Sequence, residues 1–291
     1  MKHKSGYVNI IGNPNVGKST LMNTLVGENL SITTHKAQTT RHRILGILNE
    51  ENYQIIFSDT PGIIHPEYKL QESMMKNVQS AFEDADVIIY IVEVGEKKIK
   101  NEKFFHKIFN LKIPLLLLIN KIDKSEQKII ENEILYWKTK IPNAEILPIS
   151  ALNKFNTDKI IERLIEILPE HAAFFDKDTL TDKSERFFVE EKIREKILIH
   201  YKKEIPYSVE VNVEEFFEEL EIIKIRAIIY VLRESQKGII IGHKGKGIKR
   251  IGTESRRDLE KFLGKKIFLE TPVKVKKNWR NDENQLNKLG Y

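Results

Sequence analysis

Gly12-Asn-Pro-Asn-Val-Gly-Lys-Ser-Thr20 decides how the rest of the chain is read. The apolar run Tyr7-Val-Asn-Ile-Ile11 precedes it and a helical pattern begins near Lys18, so the stretch joins a strand to a helix. Its spacing, G-x-x-x-x-G-K-[ST], is that of a phosphate-binding loop. Gly12 and Gly17 let the backbone close around a phosphate chain, which then faces successive N–H groups and the positive end of a helix. In this pattern Lys18 reaches the β- and γ-phosphates and Ser19 offers its hydroxyl to Mg²⁺. Asn13, Asn15, Val16 and Thr20 complete the candidate lining.

Outward from this loop, short apolar strands alternate with helical patterns up to residue 170. Tyr7–Ile11, Ile44–Leu48, Tyr53–Phe57, Val87–Val92, Leu115–Ile119 and Glu145–Ile149 read as strands, with helices at 18–27, 69–83, 98–111, 125–140 and 157–168. Val87–Val92 and Leu115–Ile119 are apolar on both faces, as strands buried inside a largely parallel sheet must be. The pattern predicts a doubly wound α/β domain over residues 1–171, with its ligand at the carboxyl ends of the strands.

Three further motifs fall at those ends. Ser58-Asp-Thr-Pro-Gly62 places Asp59 to hold Mg²⁺ and the Gly62 N–H near a γ-phosphate. Asn120-Lys-Ile-Asp123 brings Lys121 and a carboxylate, Asp123, that can accept two hydrogen bonds from guanine N1–H and its 2-amino group. Adenine offers no such pair, so the motif selects the base. Ser150-Ala-Leu152 follows the last strand and could give a backbone N–H to guanine O6. Lys18 and Gly62 are candidates for stabilising the transferred phosphoryl group. No nucleophile with an adjacent base stands out, so the chemistry is one of positioning and electrostatics.

The chain has 291 residues, enough for two domains with cores of their own, and its 41% apolar and 31% charged content is that of a globular protein. It contains no cysteine, which excludes disulfides and thiolate metal sites. No segment approaches eighteen apolar residues, and a cytoplasmic protein is expected. The net charge of +6 is uneven: residues 237–280 hold 14 Lys/Arg against 4 Asp/Glu. An excess of that size points to a polyanionic partner, nucleic acid first.

The period changes after Leu168. Residues 172–183 read as a linker, with Phe174 and Phe175 expected to pack between the domains. A helix is expected at 184–202, strands at Tyr207–Val213 and Ile222–Leu232 around an acidic turn at 214–219, and a final strand at Lys266–Val275. Between them, the apolar segment Gly238–Ile241 leads into Gly242-His-Lys-Gly245 and a basic helix reaching Leu263. The second domain thus spans 184–280, and 281–291 reads as a tail.

Taken in order, the phosphate loop and the motifs at 58–62, 120–123 and 150–152 resemble the translation-factor-related GTPases. The resemblance implies GTP and GDP as ligands with Mg²⁺, a first switch at 31–43 and a second at 59–75. Thr40 would close on Mg²⁺ and the γ-phosphate, with Thr39 as the alternative; Ser19, Thr40 and Asp59 form the metal set. Ile63 stands where many relatives carry a water-orienting glutamine, as in the subgroup with a hydrophobic residue there. Asn15 matches the asparagine that helps to hold K⁺ in potassium-activated members.

Residues 184–280 resemble the KH domains common in bacteria, whose Gly-x-x-Gly loop clamps a nucleic-acid backbone. The resemblance assigns RNA contacts to Ile241, Gly242, His243, Lys244, Gly245, Lys246, Ile248, Lys249 and Arg250, with Ile239–Ile241 and Ile248 as a base-facing floor. The pairing of the two domains is similar to a family of ribosome-assembly GTPases, most closely at Thr39-Thr-Arg-His-Arg43, Glu204-Ile-Pro-Tyr-Ser-Val209 and Ile240-Ile-Gly-His-Lys-Gly-Lys-Gly-Ile-Lys-Arg-Ile-Gly252. It implies a protein that binds the 3′ end of small-subunit ribosomal RNA, assists assembly of the small ribosomal subunit and associates peripherally with the inner face of the membrane; with nothing in the sequence resembling a coiled-coil seam, a monomer is expected. The alternative is a GTPase whose basic domain binds another RNA or the membrane surface.

Overall fold

The computed structural model describes residues 3–97 and 102–291. It divides into two units, one running to Glu67 and from Gln71 to Asp182, the other comprising Tyr68–Leu70 and Lys183–Tyr291.

The first unit is a six-stranded sheet in the order β2-β3-β1-β4-β5-β6. Its strands are β1 (Lys4–Gly12), β2 (Ile44–Asn49), β3 (Tyr53–Asp59), β4 (Val87–Glu93), β5 (Leu115–Asn120) and β6 (Glu145–Pro148). Every pairing is parallel except β2 with β3. The helices are α1 (Lys18–Val26), α2 (Lys69–Glu83), α3 (Glu102–Phe109), α4 (Gln127–Lys140) and α5 (Thr157–Ile167). The start of the helix expected at 98–111 lies outside the described residues. Each residue of β5 and the first six of β4 are buried, as their two-sided apolar character requires. β1, β3 and β5 end at Gly12, Asp59 and Asn120, which brings three motifs to one edge of the sheet.

The expected linker is strapped to this first unit. The Ile47 N–H donates to the Leu180 carbonyl (2.9 Å), and the Leu45 N–H to Asp182 Oδ1 (2.9 Å). Thr181 Oγ1 donates to the Leu45 carbonyl (2.6 Å). Irregular backbone thus occupies the outer edge of β2, which would otherwise stand unpaired. Phe174 and Phe175, expected to pack between the domains, are held within the first unit: Phe174 meets the Tyr7 ring edge-on at 5.2 Å, and both backbone N–H groups donate to Gln54 Oε1.

The second unit contains α6 (Glu185–His200), α7 (Ile205–Ser208), β7 (Glu210–Glu218), β8 (Ile222–Val231), α8 (Glu234–Ile241), α9 (Lys246–Leu263), β9 (Lys266–Glu270), β10 (Val273–Val275) and α10 (Glu283–Lys288). Ser184 caps α6 by accepting from the Phe187 N–H. β7 pairs antiparallel with β8, whose other edge takes β9 and β10 in parallel. The helices pack Val189, Ile193, Ile197, Ile240, Ile251 and Leu259 onto the sheet.

Three expectations need correction here. Tyr207 belongs to α7, started by Pro206 near its N-terminus, and not to a strand. Residues 214–218 continue β7 past a bulge, because Glu214, Glu215 and Glu218 pair with Lys274, Arg226 and Lys265; only 219–221 form the turn. The strand expected at 266–275 breaks at Thr271-Pro272, since proline has no N–H for the ladder; its carbonyl instead accepts from Ile229. The tail is packed, with Leu286 buried and the Tyr291 hydroxyl donating to Glu210 Oε2 (2.7 Å). Among the described residues no helix is long and apolar enough to cross a membrane.

Candidate nucleotide site and nucleic-acid interface

The phosphate loop runs from the end of β1 to the start of α1. Its glycines stand where a side chain does not fit: a Cβ on Gly12 would meet the Ile91 carbonyl at 2.4 Å, and one on Gly17, at φ +104°, would meet Asn120 Nδ2 at 2.3 Å. Lys18 is buried, and its ammonium donates to the Gly12 (3.1 Å) and Asn13 (2.8 Å) carbonyls, folding back over the loop. Burial lowers its pKa to about 8, against the pull of Asp59 and Glu96. Thr20 follows in α1, half-buried.

Ser19, Thr40 and Asp59 come together from three separate elements. Ser19 Oγ donates to Asp59 Oδ2 (2.7 Å), Thr40 Oγ1 to the same oxygen (3.2 Å), and the two hydroxyls are 2.9 Å apart. Thr39, the alternative, turns away: its hydroxyl bonds the Lys36 carbonyl and the Thr34 hydroxyl within the loop. Asp59 is fully buried, which raises its pKa in spite of Lys18 and the neighbouring hydroxyls. Its Oδ1 is buried with no hydrogen-bond partner. An orphaned carboxylate oxygen beside two hydroxyls is a hard, all-oxygen donor set of the kind that suits Mg²⁺.

Gly62 presses on Pro14, where a Cβ would come within 2.7 Å of the proline Cα, and the Ile63 N–H donates to the Gly12 carbonyl (3.1 Å). The Ile63 side chain is buried and carries no polar atom that could orient water. Asn15, at φ +67°, directs its side-chain amide to the His35 carbonyl in the first-switch segment (3.0 Å).

At the base end, Asn120 serves as an internal brace. Its Nδ2 donates to the Val16 carbonyl (2.8 Å), and its Oδ1 accepts the Ala151 N–H (3.0 Å). The Ala151 N–H is therefore engaged inside the protein here, not presented to a base. Ser150 Oγ donates to Asp123 Oδ1 (2.5 Å), which fixes an otherwise exposed carboxylate. Lys121, at φ +64°, lays its chain across to the Asn15 carbonyl (2.7 Å) and Glu93 Oε2 (2.6 Å). Leu152 is 74% exposed beside them.

In the second unit the helix–loop–helix α8–α9 carries the Gly-x-x-Gly. Gly242 (φ +72°), Lys244 (φ +50°) and Gly245 (φ +74°) all adopt positive φ, and no atom lies within 4 Å of a Cβ built on Gly245. His243, Lys244, Lys246, Lys249 and Arg250 are exposed. The expected apolar floor is divided: Ile240 is fully buried in the core, Ile241 and Ile248 are half-buried, and Ile239 is exposed. Gly238–Ile241 is the last turn of a helix, and its period turns alternate residues away from any common face.

Sequence reasoning missed residues that act on these sites through others. Glu96 Oε1 accepts from Asn13 Nδ2 (2.6 Å), holding the phosphate loop to the turn after β4. Arg43 donates to Ser58 Oγ (2.6 Å) and to both oxygens of Asp84, clamping the end of the first switch next to Asp59. Nothing in the local sequence marks either pairing; the partners lie 83 and 41 residues away.

The comparisons with known proteins cover both units. The family model for 50S ribosome-binding GTPases matches residues 7–121 and that for the KH domain matches residues 204–280. The chain is 43% identical to GTPase Era of Alkaliphilus metalliredigens (strain QYMF) over 100% of both chains. It is 42% identical to GTPase Era of Staphylococcus haemolyticus (strain JCSC1435), covering 100% of this chain and 98% of that one. A crystal structure of Era in complex with MgGDPNP and nucleotides 1506–1542 of 16S ribosomal RNA superposes with a TM-score of 0.96, at 39% identity and 99% coverage of each chain. Aquifex aeolicus Era, as a point variant bound to GDP·AlF4−, gives 0.95 at 38% identity, again over 99% of each chain.

Proposed function

The chain belongs to the Era family of GTPases, and from that premise we propose that it is a GTP-hydrolysing switch acting in assembly of the small ribosomal subunit. Its KH domain binds the 3′ end of the small-subunit ribosomal RNA, and the nucleotide state governs that engagement. The observation that carries the nucleotide half is the convergence of Thr40, Ser19 and Asp59 on one point, with Asp59 Oδ1 left for a cation. The RNA half rests on the open, positively charged Gly242–Gly245 turn.

In this reading GTP lies along Gly12–Thr20, with guanine read by Asp123 and flanked by Asn120, Lys121 and Ser150–Leu152. Bound Mg²⁺, held through Ser19, Thr40 and Asp59, neutralises charge between the β- and γ-phosphates. Lys18 leaves the Gly12 and Asn13 carbonyls for the phosphates, and Thr40 ties the first switch to the nucleotide, so loss of the γ-phosphate releases that segment. Ile63 excludes water from one side and leaves its orientation to backbone groups around Gly62. We assign K⁺ to Asn15, which would hold it through its side-chain oxygen where it would supply positive charge beside the phosphates; equal hydrolysis rates in KCl and NaCl would remove this assignment. The domain limits in this reading are 1–171, 172–183, 184–280 and 281–291, and the protein works in the cytoplasm as a monomer. Family resemblance adds peripheral contact with the inner face of the membrane to this reading.

The test is binding of labelled single-stranded RNA from the small-subunit 3′ end, at fixed salt because phosphate contacts dominate affinity. Tighter binding with a GTP analogue than with GDP, lost on scrambling the RNA, is the expected result. Equal affinity for scrambled RNA in both nucleotide states would overturn it.

A further inference from the structure

The Gly242–Gly245 turn has a support that the sequence does not announce. α8 is only eight residues long; the Gly242 N–H serves the Gly238 carbonyl (2.9 Å), and a helix end leaves the carbonyls after it without helical donors. One of them, Ile240 O, accepts a 2.7 Å hydrogen bond from the Tyr201 hydroxyl, delivered from the residue that ends α6. The same spot is where α9 comes closest. A Cβ on Gly247 would meet Ile240 O at 2.5 Å, Tyr201 Oη at 2.7 Å and Ile241 O at 3.1 Å, and one on Gly242 would meet the Gly247 N at 3.0 Å. The two helices of the turn therefore touch backbone to backbone, with a single phenol hydroxyl seated in the angle between them. Tyr201 is half-buried and packs on the core, so its ring is fixed from below.

The neighbouring residue gives α6 a second hold on α9. His200 Nε2 lies 2.6 Å from Glu254 Oε2, and the other carboxylate oxygen is 3.5 Å from Arg250 Nε. Arg250, an exposed cation one turn before Glu254, is thus steered by a carboxylate that α6 itself holds.

We propose that Tyr201, at the carboxyl end of α6, is the positioning residue of the RNA-binding turn: its hydroxyl sets the angle between α8 and α9, and with it the presentation of Gly242–Gly245. The proposal rests on the reading of this turn as an RNA clamp. Tyr201 does not touch RNA in it. The hydroxyl acts by holding Ile240 O, which keeps Ile239 and Ile241 in register with the loop.

Tyr201→Phe removes that one oxygen and keeps the packing. In the full-length protein, RNA affinity should fall about fivefold, the equivalent of one net hydrogen bond. The slope of log affinity against log salt should stay as in wild type, because no phosphate contact is lost, whereas Lys246→Ala should reduce it by about one. Without RNA, the backbone amides of Gly242–Gly245 should exchange faster in Tyr201→Phe, while GTP hydrolysis stays as in wild type. Unchanged affinity and unchanged loop exchange, with only a lower melting temperature, would reduce Tyr201 to a core residue and overturn the proposal. A reduced salt slope would overturn it differently, by making Tyr201 part of the contact surface. Failure of the wild type to bind RNA would count against the clamp reading alone, since the exchange measurement still decides what Tyr201 does to the turn.

Discussion

The two glycine-bearing loops of this chain, at 12–20 and 242–245, are built in opposite ways. In the loop at 12–20 the glycines are walled in, with a Cβ meeting another atom at 2.4 Å on Gly12 and 2.3 Å on Gly17, and the cation, Lys18, is buried. At 242–245 the second glycine faces open space, and the lysines around it are exposed. A pre-shaped, dry pocket concentrates electrostatic stabilisation on one small anion. A long, variable polymer calls for the reverse: an accessible turn whose charge is spread out and whose shape is held from behind. The difference predicts that single substitutions act drastically in the first loop and by degrees in the second.

The largest effect should come from Lys18→Ala. Each charge-assisted hydrogen bond is worth about 1.5–3 kcal/mol, and losing two to the phosphates should weaken GTP by about 100-fold or more. Isothermal titration of the nucleotide would measure it. A loss below about fivefold would mean that the Lys18 ammonium stays on the Gly12 and Asn13 carbonyls when nucleotide binds, and would erase the contrast between the loops.

Next in size is Asp123→Asn. Ser150 already holds one carboxylate oxygen, so the substitution exchanges an acceptor for a donor at a fixed position. Guanine affinity should drop about 100-fold and xanthine nucleotide should be preferred. Competition between GTP and xanthosine triphosphate would show the inversion; retained guanine selectivity would remove Asp123 from the base site.

Gly245→Asp should act more mildly. There is room for the side chain, and aspartate tolerates positive φ better than most residues, so the fold should survive with a cost of about 1 kcal/mol or less. RNA affinity should fall about tenfold from the added negative charge, with GTP hydrolysis nearly unchanged. An effect as steep as that of Lys18→Ala would show that the turn is as tightly shaped as the phosphate loop.

How much of this was legible follows the same division. The phosphate loop, Asp59 and the Asn120–Asp123 motif announce themselves because their chemistry is concentrated in contiguous residues at the ends of apolar strands. The strap at 180–182 and the Tyr201 hydroxyl do not, because each satisfies a backbone group far away in the sequence, and no local pattern encodes which carbonyl it will meet. The acidic stretch 214–218 misled for a related reason. A row of glutamates reads as a turn until Arg226 on β8, Lys274 on β10 and Lys265 just before β9 are placed against it. Pro272, by contrast, was a visible signal: a residue without N–H in a parallel ladder forces the break seen between β9 and β10.

The last predicted effect is on stability and not on binding, and concerns what each unit does with a carboxylate taken largely out of water. Asp59 is left one free oxygen and, in the proposed function, a cation to meet it. Glu190, on α6, accepts the Val213 N–H (2.8 Å), and burial pushes its pKa up to about 7, with Glu210 and Glu191 adding to the rise and Arg186 opposing it. A carboxyl whose pKa is higher in the folded chain than its ordinary 4.5 stabilises the fold most below that value, and the contribution is lost as pH rises through about 7. The protein should therefore lose about 3 kcal/mol between pH 4.5 and pH 8 from this group. Glu190→Gln can still accept from Val213 and carries no charge, so its melting temperature should exceed that of wild type at pH 8 by about 6–12 °C and match it near pH 4. Parallel curves for the two proteins across that range would mean that Glu190 stays ionised in the fold. The second unit would then tolerate a buried charge without a ligand, and the contrast with Asp59 would fail.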